Sequence, residues 1–125
     1  MTDAMTSTER AVAAARAASA KLGIDTVVLD VGDVLSIVEY FVITGAPNRR
    51  QVRTIAEEVE DRLKLAGGDS PTRVEGLADS SWVLLDYGDV VVHVFLDETR
   101  TYYDLERLWS DVARVPWEDE ALAVE

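Results

Sequence analysis

The sequence predicts an α/β (α+β-like) domain in which helices flank a mixed five-stranded sheet. Two patterns along the chain support this: runs of β-branched and aromatic residues alternate with helical segments, and a clear helix separates the second run from the third. At 125 residues, the chain has the length of one domain with a buried core. The predicted order of elements is α-β-β-α-β-β-β-α.

The first part of the chain predicts a helix and two strands. Residues 1–24 are assigned to an N-terminal helix that begins at a capping box on Thr6. Its apolar side is mostly alanine, so we expect this helix to pack shallowly or to fray. Apolar runs at 25–31 and 39–44 predict two strands, and the link between them is too short for a helix.

The middle of the chain contains the clearest helical pattern, over residues 48–66. Its apolar positions recur at spacings of three and four, and two glycines follow it. Residues 71–76 predict a short edge strand, because the proline at its start lacks a backbone donor. The apolar members of the helix are Val52, Ile55, Ala56, Val59 and Leu63.

The end of the chain predicts one further helix, over residues 97–112, which closes a main domain assigned to 25–115. A proline follows this helix and ends it. Residues 116–125 form an acidic segment that we expect to be a mobile tail.

Residues 81–96 are the most informative stretch, and they read SWVLLDYGDVVVHVFL. Two β-type runs flank a turn signal, which predicts an antiparallel hairpin. With Tyr87 and Gly88 as a two-residue loop, Asp86 would face Asp89 at the base of the hairpin. The other predicted pairs are Leu85 with Val90, Leu84 with Val91, Val83 with Val92, and Trp82 with His93.

The two sides of this hairpin differ in composition, because side chains alternate between the faces of a strand. One side is aliphatic and suits a core, while the other mixes aromatic, aliphatic and acidic groups, as recognition surfaces do. The alternative is that helices cover both sides and that the histidine is a core residue. The aliphatic side carries Val83, Leu85, Val90, Val92 and Val94, and the mixed side carries Trp82, Leu84, Asp86, Asp89, Val91, His93 and Phe95.

The charge balance restricts the choice of partner. Twenty-four acidic and twelve basic side chains give a net charge of −12. This charge disfavours a nucleic-acid backbone as the main contact and favours a basic protein, although it also serves solubility. Arg49 and Arg50, near a helix start, could hold an anion, but solvated charges are the simpler interpretation.

Cysteine usage and hydropathy indicate a compartment. The chain has no cysteine, no apolar run long enough to span a membrane, and no signal-peptide pattern at its start. We therefore expect a cytoplasmic protein without membrane contact.

Catalytic patterns are scarce in this sequence. There is no thiol, His93 is the only histidine, and no serine elbow or phosphate-binding glycine loop occurs. Two aspartate pairs, Asp30 with Asp33 and Asp86 with Asp89, could hold Mg²⁺, but aspartates at such positions are also ordinary turn residues. We expect no enzyme activity, no cofactor and no metal site.

Four segments resemble one known family. They are EYFVITGAPNRRQ, RQVRTIAEEVEDRL, EGLADSSWVLLDYGDVVVHVF and TYYDLERLW, in this order along the chain. They resemble the ribosomal silencing factors, also called the RsfS, YbeB or Iojap family, over residues 25–109. One departure is Pro47, where the family usually has a small polar residue, so the cap of the following helix is left open.

This resemblance implies a topology related to nucleotidyltransferases without their catalytic residues. It implies binding to the large ribosomal subunit through the fourteenth protein of that subunit, uL14, at the intersubunit face. There the factor would sterically block subunit joining and repress translation under nutrient limitation. The resemblance also implies a role in large-subunit biogenesis and a homodimer when free.

The resemblance also implies a partner-binding surface on the hairpin. Two other interpretations stay open: a nucleotidyltransferase-type enzyme, although no predicted strand carries the required carboxylate pair, and a dimeric scaffold that uses this surface for self-association. The implied partner-binding residues are Trp82, Leu84, Asp86 and Tyr87, with His93 beside Trp82, and Glu75 and Asp89 as an acidic rim.

Overall fold

The computed structural model describes residues 5–118, and the structural statements below refer to this part of the chain. It contains five helices and five strands in the described range. In chain order they are α1 (Ser7–Ala20), β1 (Ile24–Asp30), α2 (Gly32–Leu35), β2 (Tyr40–Ala46), α3 (Arg49–Gly67), β3 (Arg73–Glu75), β4 (Trp82–Asp86), β5 (Val90–Leu96), α4 (Asp97–Tyr103) and α5 (Leu105–Leu108).

The five strands form one mixed sheet in the order β1-β2-β5-β4-β3. β2 and β5 run parallel, and every other neighbouring pair is antiparallel. The parallel pair needs a long crossover, which α3, β3 and β4 supply. The predicted mixed five-stranded sheet with flanking helices is therefore confirmed. Within the described residues, no helix is long and apolar enough to cross a membrane.

α1 and α3 pack on the same face of the sheet and enclose the larger core cluster. Five of the seven alanines of α1 are wholly buried there, so this helix packs closely and the expected shallow packing was wrong. Alanine allows close packing because it has almost no side-chain volume to separate the elements. The predicted capping box on Thr6 is present. Asn48 caps α3, because its side-chain oxygen accepts a hydrogen bond from the Gln51 amide at 2.9 Å.

The C-terminal segment covers part of the opposite face and does not form the single predicted helix. It breaks at Asp104, whose backbone is left-handed with a φ of +48°. The cause is a set of bonds made by Arg100, which donates to Glu106 at 2.9 Å and to the backbone carbonyls of the first two residues of β1. Beyond the break, Leu105 and Trp109 pack on β1 and β2.

The link between β1 and β2 also differs from the prediction. It contains one helical turn, α2, in a connection that was expected to be too short for a helix. Four residues are enough for this turn, and the chain then returns as an antiparallel neighbour.

The predicted tail, residues 116–125, lies partly outside the described residues. Trp117, within the described part, is half-buried and packs against the core below α1. Its indole nitrogen donates a hydrogen bond to the carbonyl of Thr26 at 3.0 Å. At this position the chain is therefore attached to the sheet.

Candidate sheet-face interface

The hairpin of β4 and β5 forms as predicted but in a different register. Trp82 pairs with Phe95 and not with His93, and Asp86 pairs with Val91. Every predicted pair is thus displaced by two residues. Because the displacement is an even number, each paired strand side chain stays on the face to which alternation assigned it.

The hairpin loop explains this displacement. The two loop residues are Gly88 and Asp89, and Tyr87 closes the loop by donating its amide to the Val90 carbonyl at 2.9 Å. Gly88 has a φ of +91°, a conformation that glycine adopts without strain. The carboxylate of Asp86 accepts a hydrogen bond from the Gly88 amide at 2.8 Å and fixes the turn.

The strand residues of the hairpin divide between the two faces as predicted, and Asp89, predicted on the mixed side, is the exception. The aliphatic side chains are fully buried in the core cluster that α1 and α3 share. The opposite side of β3, β4 and β5 is covered only in part. We call its residues the Trp82 face: Arg73, Glu75, Trp82, Leu84, Asp86, Val91 and His93.

Trp82 and His93 are joined by a hydrogen bond at the centre of this face. The indole Nε1–H donates to His93 Nδ1 at 3.1 Å, so the imidazole proton resides on Nε2. His93 is 5% exposed, and burial lowers its pKa from 6.5 to about 4. The imidazole is therefore a buried, neutral acceptor that orients the indole, and its predicted role in partner binding stays a prediction.

Aromatic neighbours hold the Trp82 indole from two sides. The ring centroid of Phe95 lies 4.8 Å away, and that of Tyr103, in α4, lies 5.0 Å away. Trp82 nevertheless stays partly exposed, and Tyr103 is 54% exposed beside it. The helices of the domain therefore leave the indole accessible at the surface.

Charged residues border the indole on β3 and β4. Glu75 and Asp86 lie on the Trp82 face, and Arg73 sits between them, at 3.3 Å from Glu75 and 3.2 Å from Asp86. Sequence analysis missed Arg73 as a surface residue of this site. Alternation around the half-buried Val74 would have placed it there.

Tyr87 and Asp89, which the resemblance implied as partner-binding residues, lie away from the Trp82 face, and their part in partner binding stays a prediction. Tyr87 packs against the core cluster on the other side, where burial of its hydroxyl raises its pKa. Asp89 accepts hydrogen bonds from Ser7 and from the Arg10 guanidinium, the latter at 2.6 Å. Tyr87 lies two residues after Leu85, so alternation places both on the same, buried side of the hairpin. Asp89 is held on that side by its long-range ion pair with Arg10.

The aspartate pairs considered as magnesium ligands take other partners. Asp86 contacts Arg73 and Asp89 contacts Arg10, on opposite sides of the sheet. The carboxylate of Asp30 accepts from the Gly32 amide at 3.3 Å, as a turn residue does. In residues 5–118, no three potential metal ligands of the His, Cys, Asp or Glu type come together.

An oriented, partly exposed indole on a partly open sheet face with a charged border is typical of a protein-binding α/β domain. The chain belongs to the ribosomal silencing factors, because the family model described as "Ribosomal silencing factor during starvation" (RsfS) matches residues 4–125. The family predicted from the sequence is thus confirmed.

Known relatives agree with this assignment. The ribosomal silencing factor of Bacillus subtilis (strain 168) is 40% identical over 98 residues, which cover 78% of this chain and 82% of that protein. A crystal structure of a Chromobacterium violaceum protein has a TM-score of 0.81 and 37% identity, over 85% of this chain and 88% of that one. A mouse protein named "Mitochondrial assembly of ribosomal large subunit protein 1" is 30% identical over 88 residues, 69% of this chain and 39% of that protein.

Proposed function

We propose that this protein binds the large ribosomal subunit through uL14 at the intersubunit face and thereby blocks joining of the small subunit. Repressed translation under nutrient limitation is the consequence. The observation that carries the proposal is the partly exposed, oriented indole of Trp82 on the Trp82 face of a silencing-factor domain. In its free state the protein forms a homodimer, and it acts in the cytoplasm as a binding protein and not as an enzyme.

The geometry of Trp82 supports its use as an interface anchor. Tryptophan is enriched among residues whose truncation weakens complexes by about 2 kcal/mol or more. The hydrogen bond to His93 and the packing against Phe95 and Tyr103 restrict the indole before any partner arrives. Binding then loses less side-chain entropy, because the indole is already ordered.

The charge of the protein supports a basic protein partner on an RNA-rich particle. The net charge of −12 repels RNA in general and attracts a basic ribosomal protein. Glu75 is exposed at the border of the Trp82 face, and Asp86 is half-exposed beside it. These carboxylates can form ion pairs with cationic side chains of the partner at the edge of the contact that Trp82 makes.

A role in large-subunit biogenesis is the second candidate function. The mouse relative, named for assembly of the mitochondrial large subunit, favours it. The same docking surface serves both functions, since a factor bound at the intersubunit face of an immature particle also prevents early joining. The two functions differ in the particle to which the factor is bound in the cell: a mature large subunit in silencing and an immature one in biogenesis.

The test mixes separated ribosomal subunits with the protein and resolves them on a sucrose gradient. The wild-type protein is expected to reduce 70S particles, and Trp82→Glu is expected to lose this effect because a charge replaces the anchor. Leu65→Glu is the matched control: Leu65 is 87% exposed on α3, away from the Trp82 face, so the same change there is expected to leave the effect intact.

Three outcomes of the gradient separate the alternatives. If folded Trp82→Glu protein reduced 70S particles as much as wild type does, the Trp82 face would not be the docking surface. Wild-type protein that binds large subunits without reducing 70S particles would favour biogenesis over silencing. Wild-type protein that binds no subunit would contradict both functions.

A further inference from the structure

A second surface, of opposite charge to the protein as a whole, lies between the end of α1 and the start of α3. Four cationic side chains are exposed there, and we call them the basic corner: Lys21, Arg49, Arg50 and Arg53. They are four of the twelve basic residues in a chain of net charge −12. From Tyr40 to Ala56 the sequence contains three of these arginines and no acidic residue.

A shallow groove runs through the basic corner, between the end of α1 and the start of α3. Its volume is about 360 Å³, and its lining includes Lys21, Asn48, Arg50 and Gln51 but no carboxylate. The larger cavity of about 980 Å³, at the start of β1, contrasts with it. That cavity is lined by five acidic residues against two arginines: Asp25, Asp97, Asp104, Glu106 and Glu118, with Arg100 and Arg114.

Two of these arginines lie at the N-terminus of α3, where a positive charge lowers the stability of the helix. Arg49 and Arg50 are the first two residues of α3, where the helix dipole opposes cations, and the first turn has no acidic residue. Arg49 lies 3.9 Å from Asp79, but both side chains are largely exposed, so this pair contributes little. Arg50 makes no ion pair with the described residues. Arg49 and Arg53 also donate hydrogen bonds to the loop before β4, but among the described residues no carboxylate pairs with Arg50 or Arg53, and an anionic partner would supply that pairing.

The basic corner lies on the α3 side of the sheet, at the same end of the sheet where Trp82 begins β4. Arg49 donates to the carbonyl of Asp79 at 3.0 Å, and Arg53 donates to the hydroxyl of Ser80 at 3.1 Å. Ser80 precedes Trp82 by two residues, and Trp82 begins β4 at the same end of the sheet. On the other side of the corner, the Gln51 side chain donates to the Lys21 carbonyl at 3.0 Å. A large particle that contacts Trp82 would therefore lie beside these cations.

We propose that the basic corner binds the sugar–phosphate backbone of ribosomal RNA next to the ribosomal protein that the Trp82 face contacts. This inference rests on the proposed function. Arginine recognises phosphate through paired N–H groups, and the acid-free groove gives the backbone a path between Lys21 and Arg50. The acidic remainder of the chain restricts the RNA contact to this corner, so that RNA elsewhere is repelled.

The test compares the double variant Arg49→Gln/Arg50→Gln with Arg62→Gln/Lys64→Gln, which removes the same charge near the other end of α3. Each is titrated onto purified large subunits and onto isolated uL14 over a range of salt concentrations. For subunits, the corner variant is expected to bind about tenfold more weakly at low salt, with a salt slope smaller by roughly 1 to 2. Its affinity for isolated uL14 and its thermal midpoint are expected not to fall.

The outcomes distinguish this inference from the proposed function. An unchanged affinity and salt slope on subunits would overturn the RNA contact while the proposed function stands. Equal weakening on subunits and on isolated uL14 would assign the corner to the protein contact and also overturn it. If wild-type protein binds no subunit, the proposed function fails, and the RNA contact falls with it.

Discussion

The two faces of the sheet are built from the same strands but are covered differently. On the α1 and α3 side, the aliphatic residues of β4 and β5 are fully buried. On the other side, the C-terminal segment covers β1 and β2, and the Trp82 face is left partly open. The comparison teaches that strand alternation sorts side chains into two sets, but packed helices decide which set stabilises the fold and which can meet a partner.

The largest expected effect contrasts two neighbouring leucines of β4. Leu85→Ala opens a cavity in the buried core and is expected to lower the free energy of unfolding by about 2–5 kcal/mol. Leu84→Ala, on the Trp82 face, is expected to lower it by less than about 1 kcal/mol because the side chain is only half-buried. Urea denaturation measures both, and equal losses would contradict the difference between the faces.

The second effect concerns pH and His93. Its pKa is lowered to about 4 in the fold, so between pH 6.5 and 4 the unfolded chain binds more protons than the folded one. Stability is therefore expected to fall as pH drops through this window, by about 3 kcal/mol at most from this group. The variant His93→Phe is expected to lose that part of the pH dependence, as urea denaturation at several pH values would show. If the difference in unfolding free energy between the two proteins stayed the same from pH 6.5 to pH 4, a buried neutral imidazole would be contradicted.

A smaller effect is expected at the ion pairs that join α1 to the hairpin loop. Arg10 is nearly buried between Asp69 and Asp89, so Arg10→Ala is expected to lower stability by about 2 kcal/mol. Arg62→Ala removes an exposed pair with Glu58 and is expected to lower it by about 0.5 kcal/mol or less. Urea denaturation of the two variants measures these losses, and a loss at Arg10 no larger than the loss at Arg62 would contradict the difference in burial.

The smallest effect is expected at the border of the Trp82 face. Arg73→Gln removes the cation between Glu75 and Asp86 and is expected to change stability by less than about 0.5 kcal/mol. The face becomes more negative, so association with a basic protein is expected to be faster at low salt and unchanged at high salt. Stopped-flow mixing with isolated uL14 measures the association rate at each salt concentration. Slower association of Arg73→Gln at low salt would contradict a positively charged partner surface.

Local sequence patterns predicted the faces of the hairpin but not its register. Alternation alone assigned Trp82 and His93 to one face, and both lie there. The register depends on whether Gly88 is the first or second loop residue, and its positive φ at the first position settles this only in the folded backbone. The different loop shifted the strand pairs by two residues and left the strand side chains on their predicted faces, but it removed Asp89 from the mixed side.

Long-range contacts explain the other errors. The ion pair of Asp89 with Arg10 spans 79 residues, so no local pattern could separate Asp89 from the predicted rim. The helix break at Asp104 depends on bonds from Arg100 to the start of β1, about 75 residues earlier in the chain. Strand and helix periodicity are local, and these contacts are not.

The central claim is that the Trp82 face docks on the large subunit, and the equilibrium affinity of Trp82→Ala for purified large subunits tests it most directly. The account predicts an affinity roughly 30-fold lower than that of wild type, with Leu65→Ala unchanged as the control. A folded Trp82→Ala protein that binds as tightly as Leu65→Ala would contradict it.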